Sequence, residues 1–289
     1  MKDLLITGAD GFIGAHLCKS LHQDYRVMTF SFANDEIKEY TFATISTVIH
    51  LAALVHRMDK ISEELYHEIN VDKTVHFAAM AKASGVKQFI FMSSVKVYGE
   101  ESETAYDEKS PCQPKDPYGQ SKLDAENVLL SLADETFKVS IIRTPVVYGE
   151  GVKANILRLI ELTDRFSFLP FGGIENKRSM VYVGNLSHLI AEIIKQEQEG
   201  IFLASDDLPL STSGLIKKIS AALDKSLLLF PFLPLQIGLK LLKPLLYQRL
   251  YGNLCLDNTA TKEKLQLHNP FSTDEGIRRM VQWYREKKK

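Results

Sequence analysis

Cysteine is scarce in this chain. Three cysteines in 289 residues, Cys18, Cys112 and Cys255, are odd in number and far apart, and no Cys-x-x-Cys or Cys/His metal spacing occurs. That pattern excludes a disulfide framework and a structural zinc site, and it favours a reducing, cytoplasmic setting. Neither sign of charge dominates: 35 Lys and Arg stand against 36 Asp and Glu, a net charge of −1. Such a chain carries no general basic field to hold nucleic acid, and the basic tail 285–289 reads as a solvated helix end. Long apolar runs are missing too. The stretch 227–239 has thirteen residues without a charge, against about 20 for a membrane span. It contains Pro231 and Pro234 and is followed by Lys240, Lys243 and Pro244. The expectation is a strand, a proline turn and a buried helix, with interfacial membrane contact as the alternative. Met1-Lys2-Asp3 leads directly into a short apolar strand and not into a signal peptide.

What is present is a soluble composition, 45% hydrophobic and 25% charged, with length for one large domain or two unequal ones. Apolar runs at 3–7, 26–31, 47–51, 88–93 and 140–143 read as strands. Helical periodicity at 12–22, 63–84 (closed by Gly85) and 116–132 (opened by Asp116-Pro117) alternates with them. The alternation predicts an α/β fold: a Rossmann-type doubly wound parallel sheet over residues 1–150. Beyond it, helices are expected at about 185–197, 211–223, 235–247 and 274–287, in a smaller, mostly helical C-terminal substrate lobe over 151–289. Some of its segments are expected to return to the sheet.

Gly8-x-x-Gly11-x-x-Gly14 lies between the first strand and the first helix. Gly8 permits a tight turn, Gly11 lets the backbone approach a pyrophosphate, and Gly14 lets the helix pack on the strand. The helix N-terminus then offers unpaired N–H groups to an anion. Phe12 and Ile13 within the loop, and Ser31 at the end of the second strand, complete the expected cofactor contacts. NAD sites place a carboxylate at that strand end. Here Ser31-Phe32 stand there, with Asp35 and Glu36 a few residues on, so both NAD and NADP remain compatible.

Tyr118 and Lys122, four residues apart, share one helix face. A free tyrosine has a pKa near 10, too high for an efficient base at neutral pH. An ammonium at ~4 Å and an effective dielectric of ~20 would contribute roughly 4 kcal/mol in favour of the phenolate, enough to lower that pKa by about three. Tyr118 could then exchange a proton with a sugar hydroxyl or carbonyl while Ser94 holds the same oxygen in line. Alone, Tyr-x-x-x-Lys is an ordinary surface pair. Ser93-Ser94 ends a strand, however, and ligands of open α/β sheets bind at the carboxyl ends of strands, where the glycine loop also lies.

With these parts in place the chain resembles the extended short-chain dehydrogenase/reductase family, in its nucleotide-sugar epimerase and reductase branch. Beyond the glycine loop and Tyr118-x-x-x-Lys122, the matching segments are His50-Leu51-Ala52-Ala53, Asn70-Val71, the run Ser93-Ser94-Val95-Lys96-Val97-Tyr98-Gly99, Val147-Tyr148-Gly149, and Arg178 before Val181-Tyr182-Val183. The resemblance implies that Ser94, Tyr118 and Lys122 are catalytic. Leu51, Ala52, Ala53 and Pro145 would lie along the cofactor, NAD or its phosphorylated form. Asn70, Lys96, Tyr98, Asn155 and Arg178 would serve the substrate, Asn155 and Arg178 at the diphosphate. Arg178 as a plain surface arginine and Asn70 as a buried hydrogen-bonding group are the plainer alternatives. Family dehydratases carry Asp-Glu where Val95-Lys96 stand, which rules out water elimination, and many 4-epimerases have Asn near Val146. The segment 33–46 is short for its place. The implied reaction is 4-epimerisation of a UDP-hexose, with an NADPH-dependent 4-ketoreductase or a silent dinucleotide-binding module as alternatives. The family also implies a homodimer built on the helices 63–84 and 117–132.

Overall fold

The computed structural model describes residues 1–32, 40–55 and 61–288. Strands β1 (Asp3–Thr7), β2 (Arg26–Phe30), β3 (Ile45–His50), β4 (Gln88–Ser94) and β5 (Lys138–Thr144) lie in one sheet. Three short strands follow: β6 (Val146–Tyr148), β7 (Phe168–Leu169) and β8 (Met180–Tyr182). Then β9 (Gly200–Leu203) returns to the sheet, whose order is β2-β1-β3-β4-β5-β9 with every pairing parallel. The chain leaves β1 to one side for β2 and comes back on the other for β3. The carboxyl ends of β1 and β3 therefore open a crevice at a topological switch point.

Strand parity divides the core. Leu4, Ile6, Ile49, Ile90 and Met92 face one side and meet Leu17 and Leu21 of helix α1 (Phe12–Leu21). Leu5, Val48, Phe89 and Phe91 face the other and meet Val71, Phe77, Ala81, Ala125 and Leu129. Each fully buried side chain of this size contributes roughly 1.5–3 kcal/mol. The second layer is built from residues 63–83, read above as one α-helix. The structure breaks it into α2 (Glu63–His67), a π-helical turn (Glu68–Asp72) and α3 (Lys73–Ala83). The Lys73 N–H donates to the Glu68 carbonyl, five residues back, and Gly85 ends the helix at φ +85°. The layer is completed by α4 (Pro117–Leu132), whose first turn is capped by the Asp116 carboxylate accepting from the Gly119 N–H at 2.7 Å.

Past residue 150 come α5 (Ala154–Arg165), α6 (Val183–Gln196), α7 (Thr212–Ala222), the strand β10 (Leu228–Leu229), α8 (Leu233–Leu242), α9 (Pro244–Tyr251), α10 (Thr259–Leu265) and α11 (Thr273–Lys288). Helix α6 joins the sheet core beside α1 through Leu186, Leu189, Ile190 and Ile193. A separate core gathers Tyr148, Ile160, Tyr182, Leu215, Ile277 and Met280. Helix α5, helix α10 and the strands β6, β7 and β8 carry no signal used above, whereas β10 is the strand expected at the start of 227–239. The helix expected over 235–247 is two helices broken at Pro244, which has no N–H to donate and clashes with the preceding turn. Neither has a buried residue, so the buried helix expected there is an exposed one. Among the described residues no helix is long and apolar enough to cross a membrane.

Candidate functional site

The crevice wall at β1 is the glycine loop. Gly8 has φ +71°, and a Cβ there would lie 2.9 Å from the Ala52 nitrogen. Gly11 donates its N–H to the Gly8 carbonyl at 3.0 Å. At Gly14 a Cβ would sit 2.3 Å from the Gly8 oxygen, so the helix can start this close to the strand only without one. Leu51, Ala52 and Ala53 cross above this loop, with the Ala52 N–H on the Thr7 hydroxyl at 3.2 Å. His50 clamps the two strands from below, Nδ1 3.1 Å from the Thr7 hydroxyl and Nε2 3.0 Å from that of Thr74. Burial, then the Lys122 charge, hold its pKa down at about 3, so the ring is neutral. Phe12 packs toward Gly151 and His16, and Ile13 turns into the core, leaving its first-turn N–H as its offering to a ligand. Ser31 follows the end of β2. Asp35 and Glu36 lie outside the described residues, as does the first half of the short segment 33–46. Its far end is held by Tyr40 and Phe42 among Phe30, Phe32 and Phe77. Gly14→Ala is expected to weaken dinucleotide binding at least tenfold and to destabilise by roughly 1–3 kcal/mol through overpacking. Calorimetric titration and thermal melting check it; unchanged affinity would mean the loop does not meet the pyrophosphate.

The other wall carries the candidate acid–base residues. Ser94 ends β4 in register with Thr144 of β5 and accepts from the Lys96 N–H at 3.3 Å. Tyr118 stands in the first turn of α4, half-buried, its ring edge-on to Tyr66 at 6.2 Å. Burial pushes its phenol up to about 12, and a hydrogen bond with Ser94 pulls the other way. Lys122 is 2% exposed. Its Nζ donates to the Met92 carbonyl at 2.8 Å and lies 4.3 Å from the Phe91 ring centroid. Burial lowers its pKa to about 7, opposed by Glu126. This corrects the expectation drawn from spacing. The groups acting on the phenol are burial, Ser94, Asp116 and Tyr66, while the amine is spent on Met92. In this state Tyr118 is a protonated phenol at neutral pH.

Lys122 also has a stability signature. The unfolded chain keeps the lysine proton up to pH 10.5, whereas the folded chain releases it above about 7. Unfolding therefore takes up a proton between those values, and stability from this group rises with pH across that window; below it the buried ammonium opposes folding in full. Lys122→Met is expected to raise the melting temperature at pH 6 by on the order of 5 °C and to flatten the rise above pH 7. Calorimetry across pH reads both, and a lower melting temperature at pH 6 would refute it.

Beneath α4 lies a buried ion pair. Glu126, 1% exposed, receives Arg143 Nε at 3.2 and 3.1 Å and Nη2 at 2.6 Å, and also the Ser93 hydroxyl. Arg143 Nη1 donates to the Tyr98 hydroxyl at 2.8 Å, which donates to the Asp107 carbonyl at 2.7 Å. The network joins α4 to the carboxyl ends of β4 and β5, beside Ser94 and Lys122.

Three residues assigned above to the substrate have their polar groups bonded within the protein. Asn70, on the π turn, is fully buried. Its amide donates to the Leu54 carbonyl and to Ser121 Oγ, both at 3.0 Å, and accepts from the Leu54 N–H at 2.7 Å. Lys96 pairs with Glu100 and Asp116, the cap of α4. Tyr98 is 2% exposed with its hydroxyl used as described. Pro145 is buried just past β5, and Asn155 is exposed in the first turn of α5. Arg178 is half-buried and donates through Nη1 to the carbonyls of Gln248 and Gly252 at 3.3 and 3.2 Å. Burial lowers the pKa of Arg178, opposed first by the charge of Glu100, the partner of Lys96. Thr7, His50, Asp116, Glu126 and Arg143 went unnoticed as site supports; only Asp116, before a proline at a helix start, carried a local signal. A hollow lined by Lys2, Asp3, Arg26 and Ser46 lies at the opposite, amino edge of the sheet. Among the described residues no cluster of three or more His, Cys, Asp or Glu is placed to hold a metal ion, and the three cysteines are free.

Comparison with known proteins gives the same picture. Residues 4–203 match the model of the NAD dependent epimerase/dehydratase family. The chain is 37% identical to UDP-glucose 4-epimerase of Vibrio cholerae, over 97% of this chain and 95% of that protein. It is 29% identical to N-acetyl-alpha-D-glucosaminyl-diphospho-ditrans,octacis-undecaprenol 4-epimerase of Escherichia coli O157:H7, over 78% of this chain and 73% of that one. Among solved structures, the UDP-glucuronic acid 4-epimerase of Bacillus cereus in complex with NAD superposes with a TM-score of 0.81 at 20% identity, covering 99% of this chain and all of the other, a likeness of fold.

Proposed function

Because the chain belongs to the NAD dependent epimerase/dehydratase family, we propose that it is an NAD-dependent 4-epimerase of UDP-hexoses such as UDP-glucose or UDP-N-acetylhexosamine. The observation that carries this reading is the placement of Ser94 at the carboxyl end of β4 with Tyr118 and Lys122 on the opening turns of α4, at the strand ends where the glycine loop also lies. The cradle fits a dinucleotide: every Cβ that would fill it is missing at Gly8, Gly11 and Gly14. The first-turn N–H groups of α1 would hold the pyrophosphate, Ser31 the ribose edge, and Leu51–Ala53 with Pro145 the remainder. When bound, NAD supplies the acceptor and donor of hydride. Ser94 holds the sugar C4 oxygen in line, and Tyr118 exchanges the C4 hydroxyl proton. Lys122, protonated, supplies the positive charge that makes a phenolate accessible. Asn155 and Arg178 meet the diphosphate, for which a guanidinium is suited. Val95 and Lys96 offer no acid pair for dehydration.

An epimerase regenerates its cofactor within each turnover, so purified protein is expected to retain NAD and to interconvert UDP-hexoses without added cofactor. Protein without NAD, inert toward added NAD and UDP-hexoses but consuming NADPH with a UDP-4-keto-6-deoxyhexosamine, would replace the epimerase with the 4-ketoreductase. A second substrate reading, a hexosamine on a polyprenyl diphosphate, is favoured by the bonding of Arg178 to the end of α9, whose neighbour α8 exposes apolar side chains. Side-by-side turnover of UDP-linked and polyprenyl-linked hexosamine in detergent decides between them. The reading includes a cytoplasmic enzyme and a homodimer through residues 63–84 and α4, where Leu65 and Val128 are exposed; light scattering gives the mass.

A further inference from the structure

We infer that the α8–α9 hairpin is a docking surface for an anionic lipid bilayer, a role separate from the reaction assigned above. Leu233, Ile237 and Leu241 recur every four residues along one face of α8 and are 63%, 51% and 74% exposed. Leu242 and Leu245 carry the apolar surface into α9, and Phe232 precedes it. Leu228 of β10 and its register partner Phe168 of β7 add two more exposed side chains. No residue of α8 or α9 is buried. The hairpin is instead tied at its ends: the Gly172 N–H donates to the Phe230 carbonyl at 3.0 Å, and Thr212 Oγ1 to that of Leu250 at 2.7 Å. Arg178 holds the far end. Exposed apolar surface of this extent on a monomer marks a partner or a membrane.

Charge selects between them. Between Asp224 and Asp257 there is no Asp or Glu, while Lys225, Lys240, Lys243 and Arg249 fall in that interval. Lys240 and Lys243 are exposed, flanking the apolar stripe. A second copy docked by two-fold symmetry would set these cations against their own counterparts, with no acid on the hairpin to pair them. Anionic headgroups complement them while the leucines enter the acyl boundary. Helices of ten and eight residues are roughly 15 and 12 Å long, too short to cross a bilayer but suited to lying in its surface.

The test is flotation of the full-length protein with phosphatidylglycerol/phosphatidylcholine vesicles and with pure phosphatidylcholine vesicles. The wild type is expected to float with the anionic vesicles at least tenfold more than with the neutral ones, and less as salt rises. Leu241→Glu with Leu242→Glu is expected to abolish flotation, and Lys240→Ala with Lys243→Ala to remove the anionic preference. Neither pair touches a buried position, so melting temperature and turnover of soluble UDP-hexose should hold. That turnover tests the epimerase reading by itself, so an inert protein that floats keeps this proposal and loses the other. Wild type that stays unbound, or floats equally on both vesicles, overturns the proposal. So does a dimer in light scattering that the glutamate pair converts to monomer, which would make a second copy the occupant.

Discussion

Tyr118→Phe is expected to lower kcat for UDP-hexose epimerisation by ~10²–10⁴-fold, the usual contribution of a positioned acid–base group. Retained NAD and melting temperature should stay near wild type. The substitution removes one oxygen and leaves the ring edge-on to Tyr66. The phenol is pushed up to about 12 by burial, with only the Ser94 hydrogen bond opposing among its nearby groups. A phenol in that condition keeps its proton at neutral pH, so it stands ready in the acid form but cannot act as a base until its pKa is brought down. Its work as a base depends on cationic charge brought near, and Lys122, one helical turn on, is the side chain placed to supply it. Ser94→Ala should cost less, about tenfold, because it removes alignment and one hydrogen bond but no proton carrier. Steady-state kinetics with both variants reads the order. A Tyr118→Phe enzyme within threefold of wild type would remove Tyr118 from the chemistry.

Glu126→Gln should be among the most destabilising single changes in the chain. It leaves the Arg143 guanidinium 4% exposed and without its carboxylate. Breaking a buried pair from one side costs roughly 3–5 kcal/mol, which for a chain this long lowers the melting temperature by on the order of 10 °C. Arg143→Met should be comparably harmful, since Glu126 would then keep only the Ser93 hydroxyl. Glu126→Leu combined with Arg143→Met should recover much of the loss, because a matched apolar pair needs no desolvation of charge. The three melting curves form a cycle, and additive losses in the double variant would show that the residues do not act as a pair. Catalysis should fall with either single change, as Glu126 also sustains the charge on Lys122.

The parts of the site legible in the sequence share a property: their meaning is local. Gly8, Gly11 and Gly14 fold onto one another within a single turn, and Tyr118 with Lys122 needs only the pitch of a helix. Ser94 is readable because it ends a strand. Asn70, Lys96 and Tyr98 are placed by their motifs, but the partners of their polar groups come from distant segments. Leu54 and Ser121 take up Asn70, Asp116 takes Lys96, and Arg143 with Asp107 takes Tyr98. Motif position says where a polar side chain stands, not which neighbours consume its hydrogen bonds. The same limit hid the Glu126–Arg143 pair, two charges that any composition rule places at the surface. The same holds for 235–247, where apolarity suggests burial although none of its residues is buried among the described residues.

The π turn at Glu68–Asp72 sets the phase between the two ends of its helix. Upstream of it, Tyr66 meets the ring of Tyr118; downstream, Phe77 and Ala81 key into the sheet. Five residues are used there where an α turn uses about four. Deleting a single residue between 68 and 72 would restore a regular helix and swing everything upstream by about 100°, carrying Tyr66 off the Tyr118 ring and Asn70 off Leu54. In evolutionary terms this stretch is a ratchet tooth. Substitutions can accumulate on either side, but a one-residue length change at the turn is a frame slip that uncouples the helix from the reaction centre while leaving its hydrophobic pattern intact.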